Sequence, residues 1–245
     1  MAAPAIGLRS RWAPGPSAVL DRTNPLTHGL IHCIRPIGPK VVDLITGSEL
    51  TVDSTAATGA AQFGQALRSS GAATGTYLSL TTAPTYPLSM TWAGDVDLSS
   101  ASSGGAGIFM YSWGTGGGWS SDTSPYAMGI DYSGSGGLGV NRVNGSTYIG
   151  GMSVAGLNYV SGVISFTTEN VSQILYVNGN RVTTGANVTG DPTSTNFSGL
   201  AFQRHSYTSG RVQAASGVLG LVHNRILSAN EVASLAADPF QIFRQ

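Results

Sequence analysis

The sequence predicts an all-β fold, an antiparallel jelly-roll β-sandwich with one short C-terminal helix. Three observations carry this. Short apolar runs recur along the 245 residues, each bounded by Gly, Pro, Asn or Ser, at the even spacing of a sandwich. Gly is frequent (34), charged residues make up only 10%, and Ser and Thr fill much of the rest, which suits many short strands and tight turns. Near the middle, residues 173–182 read as two β runs joined by Asn178-Gly179, a pair that accepts the positive φ of a type I′ turn. Leu175 and Val177 alternate with Ile174 and Tyr176, so each face receives a large apolar side chain, as a strand inside a two-layer sandwich requires.

The elements follow in order. Residues 1–27 are rich in Pro, Arg and small residues and lack a period. They read as an extended N-terminal arm, either a disordered tail or a segment ordered against a neighbouring subunit with Trp12 and Leu20 as anchors. Residues 28–238 form the sandwich. Its first strand is 29–34, ended by a break at 36–39 that carries Pro36, Gly38 and Pro39, and 41–45 with 50–52 reads as a second short hairpin after it. A Gly/Ala/Thr loop leads to strand runs at 66–68 and 76–80. In 88–98, Leu88, Met90, Trp92, Val96 and Leu98 share one face, and Ser89, Thr91, Asp95 and Asp97 the other, a period of two with one side buried. A strand at 108–113 precedes a Gly-rich loop, 114–124, that carries Trp119. Tyr126, Met128, Ile130 and Tyr132 alternate on the next strand, which pairs with 138–143 ahead of a second hairpin signal, Asn144-Gly145. Runs at 159–167, 200–203 and 218–223 complete the sheets. Ser228 and Glu231 have the spacing of a capping box, with Leu227 and Val232 placed as a hydrophobic staple, so one short helix starts there and stops at Pro239. Residues 239–245 form an apolar tail in which Phe240 and Phe243 must cover something, on this chain or on a partner.

Charge and composition exclude several classes. Twelve basic and twelve acidic residues balance, with no basic cluster of the kind nucleic acid requires. No apolar run approaches the ~20 residues of a membrane-spanning helix. Cys33 is the single cysteine, so no intrachain disulfide exists, and it reads as a buried thiol. Pro and Arg interrupt the start where a signal peptide carries its apolar segment, so assembly in the cytosol is expected. The four Asn-x-Ser/Thr sequons, at Asn144, Asn170, Asn187 and Asn196, then carry no meaning.

Catalytic chemistry is sparse, and the chain reads as non-enzymatic with no catalytic residues. Sandwich glycosidases need paired carboxylates on one strand. The three Glu, at 49, 169 and 231, stand apart, and Asp95 with Asp97 is the nearest pair, read as a solvated outer face. No nucleophile elbow accompanies His28, His32, His205 or His223. No metal site is assigned. Calcium is the one cation left open, with Asp122, Asp131, Asn187 and Asp191 as loop oxygens but no dense acidic loop. Trp113, Trp119, Asp122 and Tyr126, gathered around the Gly-rich loop, suit a sugar platform of aromatic faces beside a carboxylate. The plainer alternative makes Trp113 core and Trp119 a subunit contact.

Phe63-Gly-Gln-Ala-Leu67, Leu88-Ser-Met-Thr-Trp92, Ile174-Leu-Tyr-Val-Asn-Gly179 and His223-Asn-Arg-Ile-Leu-Ser228, with Glu231 and Leu235, occur in the order seen in the laminin G-like, concanavalin A-like jelly-roll superfamily, which residues 28–238 resemble. Two positions depart from its pattern: Tyr159 stands where Trp is usual, and 217–220 lacks the usual acidic residue. Both are read as packing positions. The opening 22–30 and closing 235–244 look similar to laminin G-like virion proteins of tailed bacteriophages. That resemblance implies a virion structural protein, a capsid decoration on the head surface, partnered by the major capsid protein or by its own copies as a homo-oligomer. The alternative it leaves is a tail or fibre adhesin that binds host-surface glycans, with a glycan hydrolase third.

Overall fold

In the computed structural model the described residues are 14–15, 17–52, 56–61, 63–70, 76–79, 88–97, 106–113, 126–133, 137–144, 147–155, 159–169, 172–184, 197–203 and 214–244. In chain order the strands are β1 (Val19–Leu20), β2 (Leu30–Ile37), β3 (Lys40–Asp43), β4 (Thr51–Val52), β5 (Ala57–Ala61), β6 (Gly64–Ser70), β7 (Thr76–Ser79), β8 (Ser89–Asp97) and β9 (Ala106–Trp113). They continue as β10 (Tyr126–Ser133), β11 (Gly137–Asn144), β12 (Thr147–Ala155), β13 (Tyr159–Glu169), β14 (Ser172–Val177), β15 (Asn180–Thr184), β16 (Phe197–Phe202), β17 (Ala214–His223) and β18 (Phe243–Arg244). A 3-10 turn at Pro25–Thr27 and one helix, α1 (Ala229–Ala237), complete the described elements.

Two antiparallel sheets face each other, as the alternating patterns require. One has seven strands in the order β12-β11-β10-β9-β16-β7-β4. The other has nine, β15-β14-β13-β8-β17-β2-β3, with β6 added on β17 and β5 on β6. The long β17 serves both neighbours on one side: Ala214–Gly217 pairs with β6 and Gly220–His223 with β2. Between the sheets lie Leu88, Met90, Trp92, Val96, Phe109, Ile130, Ile164, Phe166, Leu175 and Phe202, all buried. Phe109 and Phe202 meet edge to face, with ring centroids 5.6 Å apart. Gly217 is fixed by close approach, because a Cβ there would sit 2.8 Å from Trp92 Nε1 and 2.6 Å from Gln203 Nε2.

A third layer covers the outer face of the nine-stranded sheet. Ala93, Val163, Leu219 and Leu221 point out of the sandwich and are buried beneath Leu20, Leu26, Val232, Leu235, Ile242 and Phe243. The segment before β2, the helix and the tail therefore work as one cover. β1 pairs with β18, Val19 opposite Arg244 and Leu20 opposite Phe243, and Arg244 Nη2 donates to Asp21 Oδ1 at 2.6 Å. Arg35, itself buried, reaches from β2 to donate to the carbonyl of Pro14 and lies 5.2 Å from the Phe243 ring centroid. The sequence-based boundary at residue 27 thus moves. Residues 17–27 belong to the folded layer, and Leu20, Phe240 and Phe243, read as subunit or particle contacts, are buried against their own chain.

Local chemistry explains the turns. At Asn178-Gly179 both φ angles are positive (50° and 78°), as the hairpin signal demands. The Asn178 side chain does more than turn the chain. Its Oδ1 accepts from Val163 N (2.8 Å) and its Nδ2 donates to Ser161 O (3.2 Å), extending the β13 ladder beyond the last residue of β14. Gly179 lies under α1, where a Cβ would come 3.1 Å from the Cβ of Ala236. The helix starts as expected, with a complete capping box between Ser228 and Glu231. Arg225 donates to Glu231 at 2.7 Å, and that bond, with the capping bonds from Ser228, holds the carboxyl down at about 2.

Two expectations change around Asp43. β2 continues through Pro36, which lies beyond the last β2 residue paired to β17, and turns at Gly38 into β3. The hairpin expected between 41–45 and 50–52 does not form as a ladder: β4 joins β7 in the other sheet, leaving one bridge, Val42 to Glu49. The reason is the Asp43 carboxylate. Its Oδ1 accepts from the backbone of Cys33 (2.9 Å) and Ile45 (3.1 Å), and its Oδ2 meets His32 Nδ1 (2.7 Å) and Thr46 Oγ1 (2.9 Å), which folds 43–48 into a tight cap.

Candidate functional site

Two surfaces carry chemistry a ligand can use. The first is the end of the seven-stranded sheet where β9 hands over to β10. Register places Tyr126 directly opposite Trp113, and Trp113 opposite Phe197 of β16. Three aromatic positions therefore form one row across three strands. The Trp113–Tyr126 pairing runs in register down to Phe109 and Ile130, whereas a register shift separates Phe197 from Gly199 on the β16 side. The β9–β10 connection, residues 114–125, springs from this row and contains Trp119 and Asp122. Both lie outside the described residues, as do Trp12, His205, Asn187 and Asp191. The β11–β12 connection, between Asn144 and Thr147, opens at the same end. Of the four residues proposed as a sugar platform, the fold thus makes Trp113 and Tyr126 cross-strand neighbours at the base of the loop that bears the other two.

The second surface was not foreseen. Tyr159, read as a packing position, is 58% exposed on the outer face of the nine-stranded sheet. It stands opposite Asp97, and Ser161 stands opposite Asp95. Ser161 Oγ donates to Asp95 Oδ1 at 2.5 Å. The Tyr159 hydroxyl is pushed up, first by partial burial and then by the charge of Asp95, to which it is hydrogen-bonded, and of Asp97. Asp95 and Asp97 do share an outer face, as expected, but both are half-buried there rather than fully solvated. The one available signal was the alternation in 88–98, which puts both carboxylates on the non-core side; the exposure of Tyr159 had none.

The remaining singled-out groups are structural. Cys33 is buried and its thiol is pushed up by burial, far from a reactive thiolate. His32 belongs to the Asp43 cap, where bonds from His32, Cys33 and Ile45 outweigh the cost of burial and hold the carboxyl below its usual range. His223 is fully buried, its Nε2 2.8 Å from the Leu26 carbonyl, and burial pushes it down to about 4. Among the described residues no group of three His, Cys, Asp or Glu side chains is placed to hold a metal ion. Among them, too, no helix is long and apolar enough to cross a membrane.

No protein-family model matches the sequence. No curated protein sequence matches it either. Solved structures do resemble the fold. Trypanosoma rangeli sialidase in complex with sialic acid superposes with a TM-score of 0.61 at 14% identity, covering 96% of this chain and 37% of the sialidase. This chain therefore spans little more than a third of that enzyme. Domain 4 of AbnA, a GH43 extracellular arabinanase from Geobacillus stearothermophilus, in complex with arabinotriose, gives 0.59 at 14% identity, covering 84% of this chain and 98% of the domain. The CBM40 of Ruminococcus gnavus IT-sialidase gives 0.53 at 14% identity, covering 70% and 96%. At such identities the likeness establishes a β-sandwich of the jelly-roll class.

Proposed function

We propose that the chain is a non-catalytic glycan-binding module that uses the β9–β10 loop. The observation that carries this reading is the aromatic row Phe197–Trp113–Tyr126 at the base of the loop holding Trp119 and Asp122. Aromatic faces beside a carboxylate suit the apolar and hydroxyl surfaces of a pyranose or furanose ring. Support comes from two similar domains that this chain covers almost whole, one an arabinanase domain holding arabinotriose and the other a carbohydrate-binding module. The module is read as non-catalytic because Asp95 is already engaged by Ser161 and Tyr159, which leaves no acid–nucleophile pair with Asp97. The test is calorimetric titration of the full chain with arabino-oligosaccharides and sialyl-oligosaccharides, repeated on Trp119→Ala. Binding that drops about ten-fold or more in the variant, with its unfolding midpoint unchanged, supports the loop. Undiminished binding in Trp119→Ala, or no binding by the parent chain, refutes it.

A second reading, attachment to a phage particle as a decoration protein, rests on the resemblance of the chain's two ends. One structural observation favours it: Arg35 clamps Pro14 and Gly15, giving the residues before them a fixed root from which to reach a neighbour. Deleting residues 1–13 leaves the folded layer intact and, on this reading, abolishes incorporation into purified particles. Normal incorporation of the shortened chain refutes it.

A further inference from the structure

We propose that Asn178 is a chemical modification site: a deamidation site that the fold keeps closed and that reacts only when the β14–β15 hairpin leaves its place under α1. An Asn followed by Gly can lose its side-chain amide without an enzyme. The backbone nitrogen of Gly179 attacks Cγ of Asn178, a new N–Cγ bond forms, and the Nδ2 group leaves with the displaced amide proton as ammonia. Water then opens the resulting succinimide to aspartate or isoaspartate. One water is consumed, one ammonia is released, and nothing is oxidised or reduced. Gly at the second position favours the attack, because no side chain shields its nitrogen.

The fold obstructs each part of that path. Both ends of the Asn178 amide are tied to β13: Oδ1 accepts from Val163 N at 2.8 Å, and Nδ2 donates to Ser161 O at 3.2 Å. The backbone N of Asn178 also donates to Val163 O, at 2.7 Å. The carbon under attack is therefore held against β13, and the leaving nitrogen is engaged. The nucleophile is held as well. Gly179 is wedged beneath the helix, where a Cβ would come 3.2 Å from Ala233 Cα and 3.1 Å from Ala236 Cβ. Closing the ring swings the 178–179 peptide toward Cγ, which neither the tied amide nor the wedged glycine permits. Deamidation thus proceeds from molecules whose hairpin has opened, at a rate set by the population of that open form. The product cannot rebuild the clamp. Aspartate has no N–H for the Ser161 carbonyl and sets a second oxygen against it. Isoaspartate adds a methylene to the backbone next to Gly179, under Ala233 and Ala236. Conversion is an irreversible record that the hairpin has opened, and it loosens the sheet at Val163.

The experiment incubates the full chain at one mildly alkaline pH, in buffer and in urea, and follows conversion at Asn178 by peptide mapping with mass spectrometry. Conversion in buffer is expected to be at least about ten-fold slower than in urea. Asn178→Asp then supplies the product in homogeneous form. Its Val163 amide is expected to exchange with solvent at least about ten-fold faster than in the parent. The amides of β2, which β8 and β17 separate from β13, should keep the parent rates and report an intact sandwich. The ageing comparison needs no variant, so it decides the matter even where Asn178→Asp fails to fold. The proposal is overturned if Asn178 converts as fast in buffer as in urea, if it stays intact in urea, or if a folded Asn178→Asp protects Val163 as the parent does.

Discussion

Acidification should weaken this fold well before its carboxylates titrate, because of one imidazole. His223 ends β17 in full burial, with Nε2 donating to the Leu26 carbonyl at 2.8 Å and Nδ1 left without a hydrogen-bond partner. A proton on Nδ1 would place a charge in the interior with no acceptor. Burial therefore pushes the group from 6.5 down to about 4, the Leu26 bond opposing and the Arg225 charge adding. For a base whose folded pKa is depressed, the unfolded chain takes up the proton first, so stability is complete above the unfolded value and falls as pH falls toward the folded one. The shift corresponds to about 3 kcal/mol in all, of which about 2 is lost between about pH 7 and pH 5. Glu231 and Asp21, both held near about 2, contribute only at lower pH. The assay is urea unfolding at the two pH values, followed by fluorescence of the buried Trp92, on the parent and on His223→Gln. The variant is expected to be weaker at both but to lose little between them. An equal loss in the variant, or an imidazole NMR resonance that titrates near its ordinary value, would refute the argument.

Two further changes probe the packing. Gly217→Ala drives a methyl group into Phe202, Trp92 and the Gln203 amide, whose atoms lie 2.6–2.8 Å from the new Cβ, and should cost about 1–3 kcal/mol by calorimetric melting. Ser228→Ala removes the acceptor for Glu231 N at the helix start, and a loss of about 1 kcal/mol is expected in the same assay.

Much of the architecture was legible because it is written in local signals. Asn178-Gly179 and the Ser228–Glu231 box each specify a conformation through a few neighbouring residues, and both appear as expected. The alternation of 88–98 sends Leu88, Met90, Trp92 and Val96 into the core as expected, but Ser89 and Thr91 on the opposite face are buried too, and Leu98 lies outside the described residues. β5 and β12 were missed for the converse reason. Ala57–Ala61 has no large apolar side chain, and Gly150-Gly151 interrupts Thr147–Ala155, so neither shows a period. The cover layer was illegible at another level. An apolar Leu20 or Phe243 announces that it will be buried, but the pattern does not say against which chain. Tyr159 shows the reverse case, since an aromatic residue at the start of a strand looks the same in sequence whether it packs or stands in water. The row of Trp113, Tyr126 and Phe197 depends on register between strands far apart in the chain, which no local signal encodes.

The ribbon of β1 and β18 also sets an order of events in synthesis. Its partners stand far apart in sequence, and the Asp21–Arg244 bond alone closes a span of 223 residues. While the ribosome is still making the sheets, Ala93, Val163, Leu219 and Leu221 have no tail to shelter them, and the outer side of the nascent domain is sticky. Closure waits for residues 240–244 to emerge, so a chain stalled or clipped just short of Phe240 is a natural client for chaperones and proteases.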